Sequence, residues 1–119
     1  ERAICREVMA WVRSDLMPIR EERSTYTVWY EHTTKPLSLA GQKAAARLLA
    51  ACDRLIRDDR TTLFPQWCLA DADLAMMLQR LNANGDLLPK KVKAYVEANW
   101  QRPSIRKWNE RTRPAYVAY

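Results

Sequence analysis

Apolar residues dominate positions 67–81 and recur there at helical spacing. After Leu69, only four side chains in this stretch are polar: Asp71, Asp73, Gln79 and Arg80. A helix that is apolar around most of its circumference is the central member of a bundle and not a surface helix. We therefore predict an all-α bundle of about five helices, in which Leu74, Leu78 and Leu81 of the central helix are almost completely buried.

The start of this central helix carries a capping signal. Asp71 follows Cys68 by three residues, the spacing at which a carboxylate accepts the backbone N–H of the N-cap residue and faces the positive end of the helix dipole. A carboxylate that enters a core is costly unless such donors satisfy it. We therefore predict a structural cap made by Asp71 and Cys68, although a thiol is a weaker acceptor than a hydroxyl.

Two helices are predicted before the central one. Residues 1–23 present one apolar face, and Pro18 removes a backbone donor, so it should kink this helix or end its first segment. No N-cap residue precedes this face, so we expect the chain to begin inside a helix, as a fragment of a longer protein. Residues 20–23 are charged and are predicted to be solvated, with local ion pairs. Ser38 is the predicted N-cap of the second helix.

Two helices are predicted after the central one. Gly85 suits the left-handed position that ends a helix, Pro89 suits the first turn of the next helix, and Pro103 starts the last one. Between the first two helices, residues 24–37 have no helical period. Residues 25–30 have the composition of a strand, but they lack a partner strand. We therefore predict a loop that carries aromatic plugs.

The composition narrows the class of protein further. A chain of 119 residues forms one domain that can bury a core without disulfides or metals, and its three cysteines have no metal-type spacing, as in a reducing compartment. Without a membrane-length apolar run or a signal peptide, the expected location is the cytoplasm, with no membrane partner. The net charge is +6, but Lys and Arg are scattered among Asp and Glu, which disfavours nucleic-acid binding.

The residues alone indicate no active site. With one histidine and two glycines, the chain has no Ser–His–Asp or Cys–His set, no phosphate loop and no metal site around His32. Cys68 could be a reactive thiol at a helix N-terminus, but its apolar neighbours favour an inert, small buried side chain. Asp71 and Asp73 point to different helix faces, so they are not a pair for acid–base catalysis.

The residues Cys68-Leu69-Ala70-Asp71 resemble the start of the capping-box helix in the C-terminal domain of glutathione S-transferases, where Ser or Thr, an aliphatic residue, Ala and Asp are typical. Cys68 is the departure from that pattern. Residues 11–23 resemble the first helix of this domain in a bacterial, YfcF-like subgroup. Residues 64–67 are similar to its lead-in to the central helix, and residues 100–105 to its last helix junction. The resemblance covers nearly the whole chain.

This resemblance implies that the parent protein has two domains with different roles. Glutathione, as co-substrate, and the activating Ser, Tyr or Cys would belong to a thioredoxin-like domain that precedes Glu1. The helical domain would supply the wall for an electrophilic co-substrate, with Arg13, Ser14 and Met17 lining it and Arg80 as a further candidate. Without the resemblance, Arg13, Ser14 and Arg80 are interpreted as solvent-facing polar residues, and Met17 as a core residue.

The sequence is therefore consistent with two functions. In the first, the parent protein is a homodimeric glutathione transferase that conjugates glutathione to electrophiles or uses it to reduce peroxides or disulfides. It would need no other cofactor, and its first helix would expose apolar residues where the thioredoxin-like domain packs. In the second, the helical domain is a non-catalytic module for protein interaction. The sequence upstream of Glu1 would discriminate between the two.

Overall fold

Seven helices and no strand form in the computed structural model, which describes residues 1–118. In chain order they are α1 (Arg2–Ser14), α2 (Met17–Glu22), α3 (Thr25–Trp29), α4 (Leu39–Leu55), α5 (Leu69–Ala83), α6 (Lys90–Trp100) and α7 (Pro103–Asn109). The predicted all-α class is confirmed. None of these helices is long and apolar enough to cross a membrane.

The predicted central helix is α5, which packs against α1, α2, α3 and α6. Leu74, Leu78 and Leu81 are each at most 1% exposed, as the apolar circumference of this helix predicts. The core around them is closed by Leu48 of α4 and Tyr95 of α6, which are both completely buried. The position of α5 explains why its sequence lacks the polar face of a surface helix.

The interruption predicted at Pro18 is confirmed. α1 ends at Ser14, and Pro18 occupies the first turn of α2, where its missing N–H leaves no helical hydrogen bond unmade. Leu16, between the two helices, is completely buried, and its carbonyl accepts the N–H of Ile19 at 3.1 Å. The break therefore turns the chain without exposing its apolar face.

The prediction of a loop is wrong for residues 25–29, which form α3, whereas residues 31–38 are irregular. Tertiary packing overrides the strand-like composition, because Val28 is buried and α3 lies against α5. Trp29 stacks on Trp100 of α6 with ring centroids 6.4 Å apart. The short helices α2 and α3 account for the difference between seven helices and the predicted five or so.

Glu22 joins α2 to the start of α4. Its carboxylate accepts the Ser38 N–H at 2.8 Å and the Ser38 hydroxyl, while the Ser38 hydroxyl oxygen accepts the Gly41 N–H at 3.1 Å. These hydrogen bonds hold the pKa of the Glu22 carboxyl below its usual value. A Cβ at Gly41 would lie 2.7 Å from Glu22 Oε1, so a larger residue there would force the Glu22 carboxylate to shift. The predicted cap at Ser38 is confirmed.

The turn after α5 positions Asp86, which pairs with the buried side chain of Arg23. Gly85 has φ 77°, the left-handed conformation that its type predicts. Asp86 follows it and accepts two hydrogen bonds from Arg23, at 2.6 Å from Nε and 2.9 Å from Nη2. Arg23 is only 2% exposed, so the prediction of a solvated charged run is wrong at this residue. The ion pair with Asp86 raises the pKa of Arg23.

Candidate functional site

A narrow strip of α5 is partly exposed. It consists of Ala72, Asp73, Met76 and Gln79. Met76 lies three or four positions from each of the other three, so the four residues lie along one face of the helix. Two cavities open on this strip, and Met76 lines both of them. The strip is therefore where the central helix of the bundle is accessible to a ligand.

The smaller cavity, which we call the arginine cleft, has a volume of about 110 Å³. It lies between α1, α2 and α5, and its lining includes Arg13, Arg20, Asp73, Met76, Met77 and Arg80. Three guanidinium groups and one carboxylate make this cleft electropositive. It accommodates one functional group of a ligand and not a complete tripeptide.

The only carboxylate of the cleft is already engaged, since Asp73 Oδ2 lies 2.7 Å from Nη2 of Arg13. Arg20 donates to the Arg13 carbonyl at 2.7 Å. Arg80 is 8% exposed and donates from Nη1 to the Arg23 carbonyl at 2.9 Å, while its Nε is buried without a partner among residues 1–118. Burial, followed by repulsion from Arg20, lowers the pKa of Arg80. The cleft thus holds positive charge that these residues leave uncompensated.

The residues suggested by the resemblance do not all meet in this cleft. Arg13 and Arg80 lie in it together, whereas Ser14 and Met17 lie outside its lining, at the junction of α1 and α2. The Ser14 hydroxyl is engaged with Asp15 Oδ1 at 2.8 Å. Met17 is 44% exposed and Arg80 is buried, so the interpretations of Met17 as a core residue and Arg80 as solvent-facing are wrong.

The second cavity on the α5 strip is aromatic. It has a volume of about 250 Å³ and is lined by Met76 together with Trp29, Trp100 and Trp108. Trp108 is 56% exposed, so one wall of this tryptophan cleft faces solvent. A larger groove of about 610 Å³ lies between α1 and α4, away from the strip, with Trp11 and Arg47 among its lining residues.

Asp71 caps α5 from inside the core. It is completely buried, and its carboxylate accepts the Cys68 N–H at 2.9 Å, the Leu63 N–H at 2.8 Å and the Tyr95 hydroxyl at 2.8 Å. The N–H of Asp71 in turn faces the Cys68 side chain, which completes a capping box with sulfur in place of oxygen. These three donors satisfy a charge that would otherwise be costly to bury.

The thiol of Cys68 has none of the properties of a nucleophile activated by a helix N-terminus. Burial and a hydrogen bond with Cys5 raise its pKa to about 11. Little thiolate is present at neutral pH under these conditions, so Cys68 is not an activated nucleophile toward external substrates. Among residues 1–118, no group of three or more His, Cys, Asp and Glu side chains is placed to hold a metal ion.

Sequence reasoning missed Arg20, Met76 and Met77 as lining residues of the arginine cleft. Met76 and Met77 belong to the apolar pattern of α5 and carry no signal that separates a cleft residue from a core residue. Arg20 reaches the cleft because the break at Pro18 redirects α2. A carboxylate matched to Arg13 lies 60 positions away at Asp73, which no local pattern could indicate.

The structure is an all-helical domain with two clefts on its central helix. A family model described as glutathione S-transferase, C-terminal domain, matches residues 1–112. A crystal structure of a glutathione transferase homologue from Burkholderia gl BGR1, with bound glutathione, is 46% identical, covers 90% of this chain and has a TM-score of 0.68. The chain spans 49% of the length of that homologue. No functionally curated protein matches this chain.

The chain therefore belongs to the glutathione S-transferase C-terminal domain family. The expected resemblance is confirmed at the level of the family. The assignment to a YfcF-like subgroup stays a prediction.

Proposed function

We propose that this chain is the co-substrate-binding domain of a glutathione transferase. The observation that carries the proposal is the 46% identity, over 90% of this chain, with a homologue that has glutathione bound. In the proposed enzyme, a preceding thioredoxin-like domain binds glutathione and supplies the activating Ser, Cys or Tyr. The parent protein acts as a cytoplasmic homodimer that conjugates glutathione to electrophiles or uses it to reduce peroxides or disulfides.

The α5 strip supports a role for this domain in binding the electrophile. Its tryptophan cleft offers apolar surface for the carbon skeleton, and its arginine cleft, which shares the lining residue Met76, offers positive charge. When a thiolate adds to an electrophile, negative charge develops on the atoms that accept the electron pair. Guanidinium groups fixed near those atoms stabilise that charge in the transition state. Arg13 and Arg80 are the proposed source of this stabilisation.

Ser14 and Met17 are proposed to contact the co-substrate at the edge of the same wall. Both lie at the junction of α1 and α2, next to Arg13 in the chain. The Met17 side chain is accessible there, and a thioether adapts to ligands of different shape. In this proposal the wall runs from this junction across the arginine cleft to the tryptophan cleft.

In the parent enzyme, Arg13→Ala should lower kcat/KM for an electrophile by roughly 5–30-fold, the effect expected from losing one charge-assisted interaction in the transition state. Arg13 suits this test because its side chain is 63% exposed, so the fold tolerates its removal. Arg57→Ala is the matched control, since Arg57 is 65% exposed and pairs with Asp59 away from the cleft. Equal steady-state parameters for the two variants would contradict the proposed role of Arg13.

A second prediction concerns which of the two domains binds glutathione. Calorimetric titration of this chain alone should give no glutathione affinity in the micromolar range, because the chain has no set of residues that would hold a tripeptide thiolate and no nucleophile beside a base. The complete parent protein should bind glutathione. Micromolar binding to the isolated helical chain would place the glutathione site in this domain and overturn the proposed division.

The alternative is a non-catalytic interaction module. The exposure of Trp108 beside the tryptophan cleft favours it, since tryptophan is enriched where proteins meet. Glutathione-affinity capture of the parent protein, followed by a conjugation assay, discriminates between the two functions. Capture with turnover supports the transferase, whereas neither capture nor turnover supports the module.

A further inference from the structure

Two thiols from distant parts of the sequence meet at the edge of the packing between α1 and α5. Cys5 lies near the start of α1, and Cys68 is the N-cap residue of α5, 63 positions further along the chain. Their Sγ atoms are 3.3 Å apart, and both side chains are partly buried and reduced. Since the spacing of the cysteines in the sequence carries no sign of this contact, only the tertiary fold creates it.

A disulfide requires the two sulfur atoms to approach to about 2.05 Å, so they must move together by only about 1.3 Å. The surroundings of both residues can absorb such a shift. Cys68 has extended backbone (φ −139°, ψ 173°) at the end of the irregular segment 56–68. Cys5 lies in the part of α1 before Val8, the first buried residue of this helix, where few buried contacts resist movement.

We propose that Cys5 and Cys68 form a reversible dithiol–disulfide pair that a low-molecular-weight disulfide, such as oxidised glutathione, oxidises. The thiolate of Cys5 attacks one sulfur of the oxidant, displaces one thiolate and leaves a mixed disulfide on Cys5. The thiolate of Cys68 then attacks the Cys5 sulfur, displaces the second thiolate and forms the protein disulfide. The two thiol protons of the protein end on the two released thiols, and the two electrons reduce the oxidant.

The order of these two attacks follows from the environment of Cys68. Because burial and the contact with Cys5 raise the pKa of Cys68 to about 11, its thiolate is scarce at neutral pH and meets an external oxidant slowly. Its attack on the Cys5 mixed disulfide is intramolecular, and proximity compensates for the low thiolate fraction. Residues 1–4, 6 and 7 around Cys5 are exposed, so Cys5 is the entry point of the oxidant, and Cys68 is the resolving residue.

The cross-link would join the exposed start of α1 to the start of α5, next to the cap made by Asp71. A disulfide across 63 positions removes conformational freedom from the unfolded chain. The oxidised protein should therefore unfold at a temperature higher by roughly 5–15 °C. This inference is independent of the proposed transferase activity, because it concerns only thiols of the helical domain.

The test begins with the fully reduced chain, which is incubated with oxidised glutathione, alkylated and mapped by mass spectrometry. We expect one intramolecular cross-link between the Cys5 and Cys68 peptides, a raised Tm, and reversal of both by dithiothreitol. Cys52→Ala is the matched control and should oxidise like the wild type, because Cys52 is completely buried in α4 and burial raises its pKa to about 12.

Two single variants test the order of the steps. Cys68→Ser should stop at a glutathione mixed disulfide on Cys5 without a rise in Tm, and serine at this position retains an acceptor for the cap. Cys5→Ser should stay almost unmodified over the same time. A wild-type chain that keeps all three thiols, retains stable mixed disulfides, or forms its cross-link through Cys52 or between two chains would overturn the proposal.

Discussion

Replacement of Asp71 by alanine should lower the free energy of unfolding by about 3–5 kcal/mol, because two buried donors and one partly buried donor lose their acceptor at once. The sequence alone predicts about 1–3 kcal/mol, from one cap and one unsatisfied donor. The additional loss arises from Leu63 and Tyr95, whose N–H and hydroxyl groups both donate to Oδ1. Chemical denaturation monitored by circular dichroism measures the difference.

Two further variants show whether the loss arises from these hydrogen bonds. Asp71→Asn keeps the shape but presents an amide NH₂ to a donor, so it should recover less than half of the lost stability. Asp73→Ala, two residues along α5, removes a carboxylate whose Arg13 partner is exposed and should change stability by less than about 1 kcal/mol. Equal losses for Asp71→Ala and Asp73→Ala would contradict the structural role of Asp71.

The predictable part of this fold is the part encoded by local signals. The apolar circumference of α5, the break at Pro18, the cap at Ser38 and the turn at Gly85 each depend on residues within a few positions of one another. Such signals can be recognised in a single sequence because they arise from local backbone geometry and helical periodicity. The helix α3 was not predicted, because its stability comes from packing on α5 and not from its own composition.

The candidate site was predictable only in fragments. The resemblance pointed to Arg13 and Arg80, but nothing local indicated that Arg20 would join them in one cleft or that Asp73 would pair with Arg13. The contact between Cys5 and Cys68 is a second example, since the two thiols meet only after α1 has packed on α5. Long-range pairs of this kind depend on the whole fold. A local sequence pattern contains only one of the two partners, so it does not predict the contact.

The buried ion pair of Arg23 gives the second large effect. We expect Arg23→Ala to lower the free energy of unfolding by about 2–4 kcal/mol, because it leaves the Asp86 carboxylate and the Lys35 carbonyl without their donor. Asp86→Ala should cost a comparable amount, because it leaves the buried Arg23 guanidinium without a counter-charge, although Arg23 keeps its bonds to the carbonyls of Lys35 and Glu22. A double-mutant cycle should give a coupling of roughly 1–3 kcal/mol between Arg23 and Asp86.

The chain also contains an exposed arginine–carboxylate pair with which the buried pair can be compared. Arg106 also donates two hydrogen bonds to a carboxylate, at 3.0 Å from Nε and 2.8 Å from Nη2, but both go to Oε1 of Glu110, and both side chains are more than half exposed. Their coupling should be about 0.3–0.5 kcal/mol and should fall with added salt, whereas water and counterions reach the Arg23 pair much less easily. Similar couplings and salt dependence for the two pairs would contradict the role assigned to burial, that is, to the 2% exposure of Arg23.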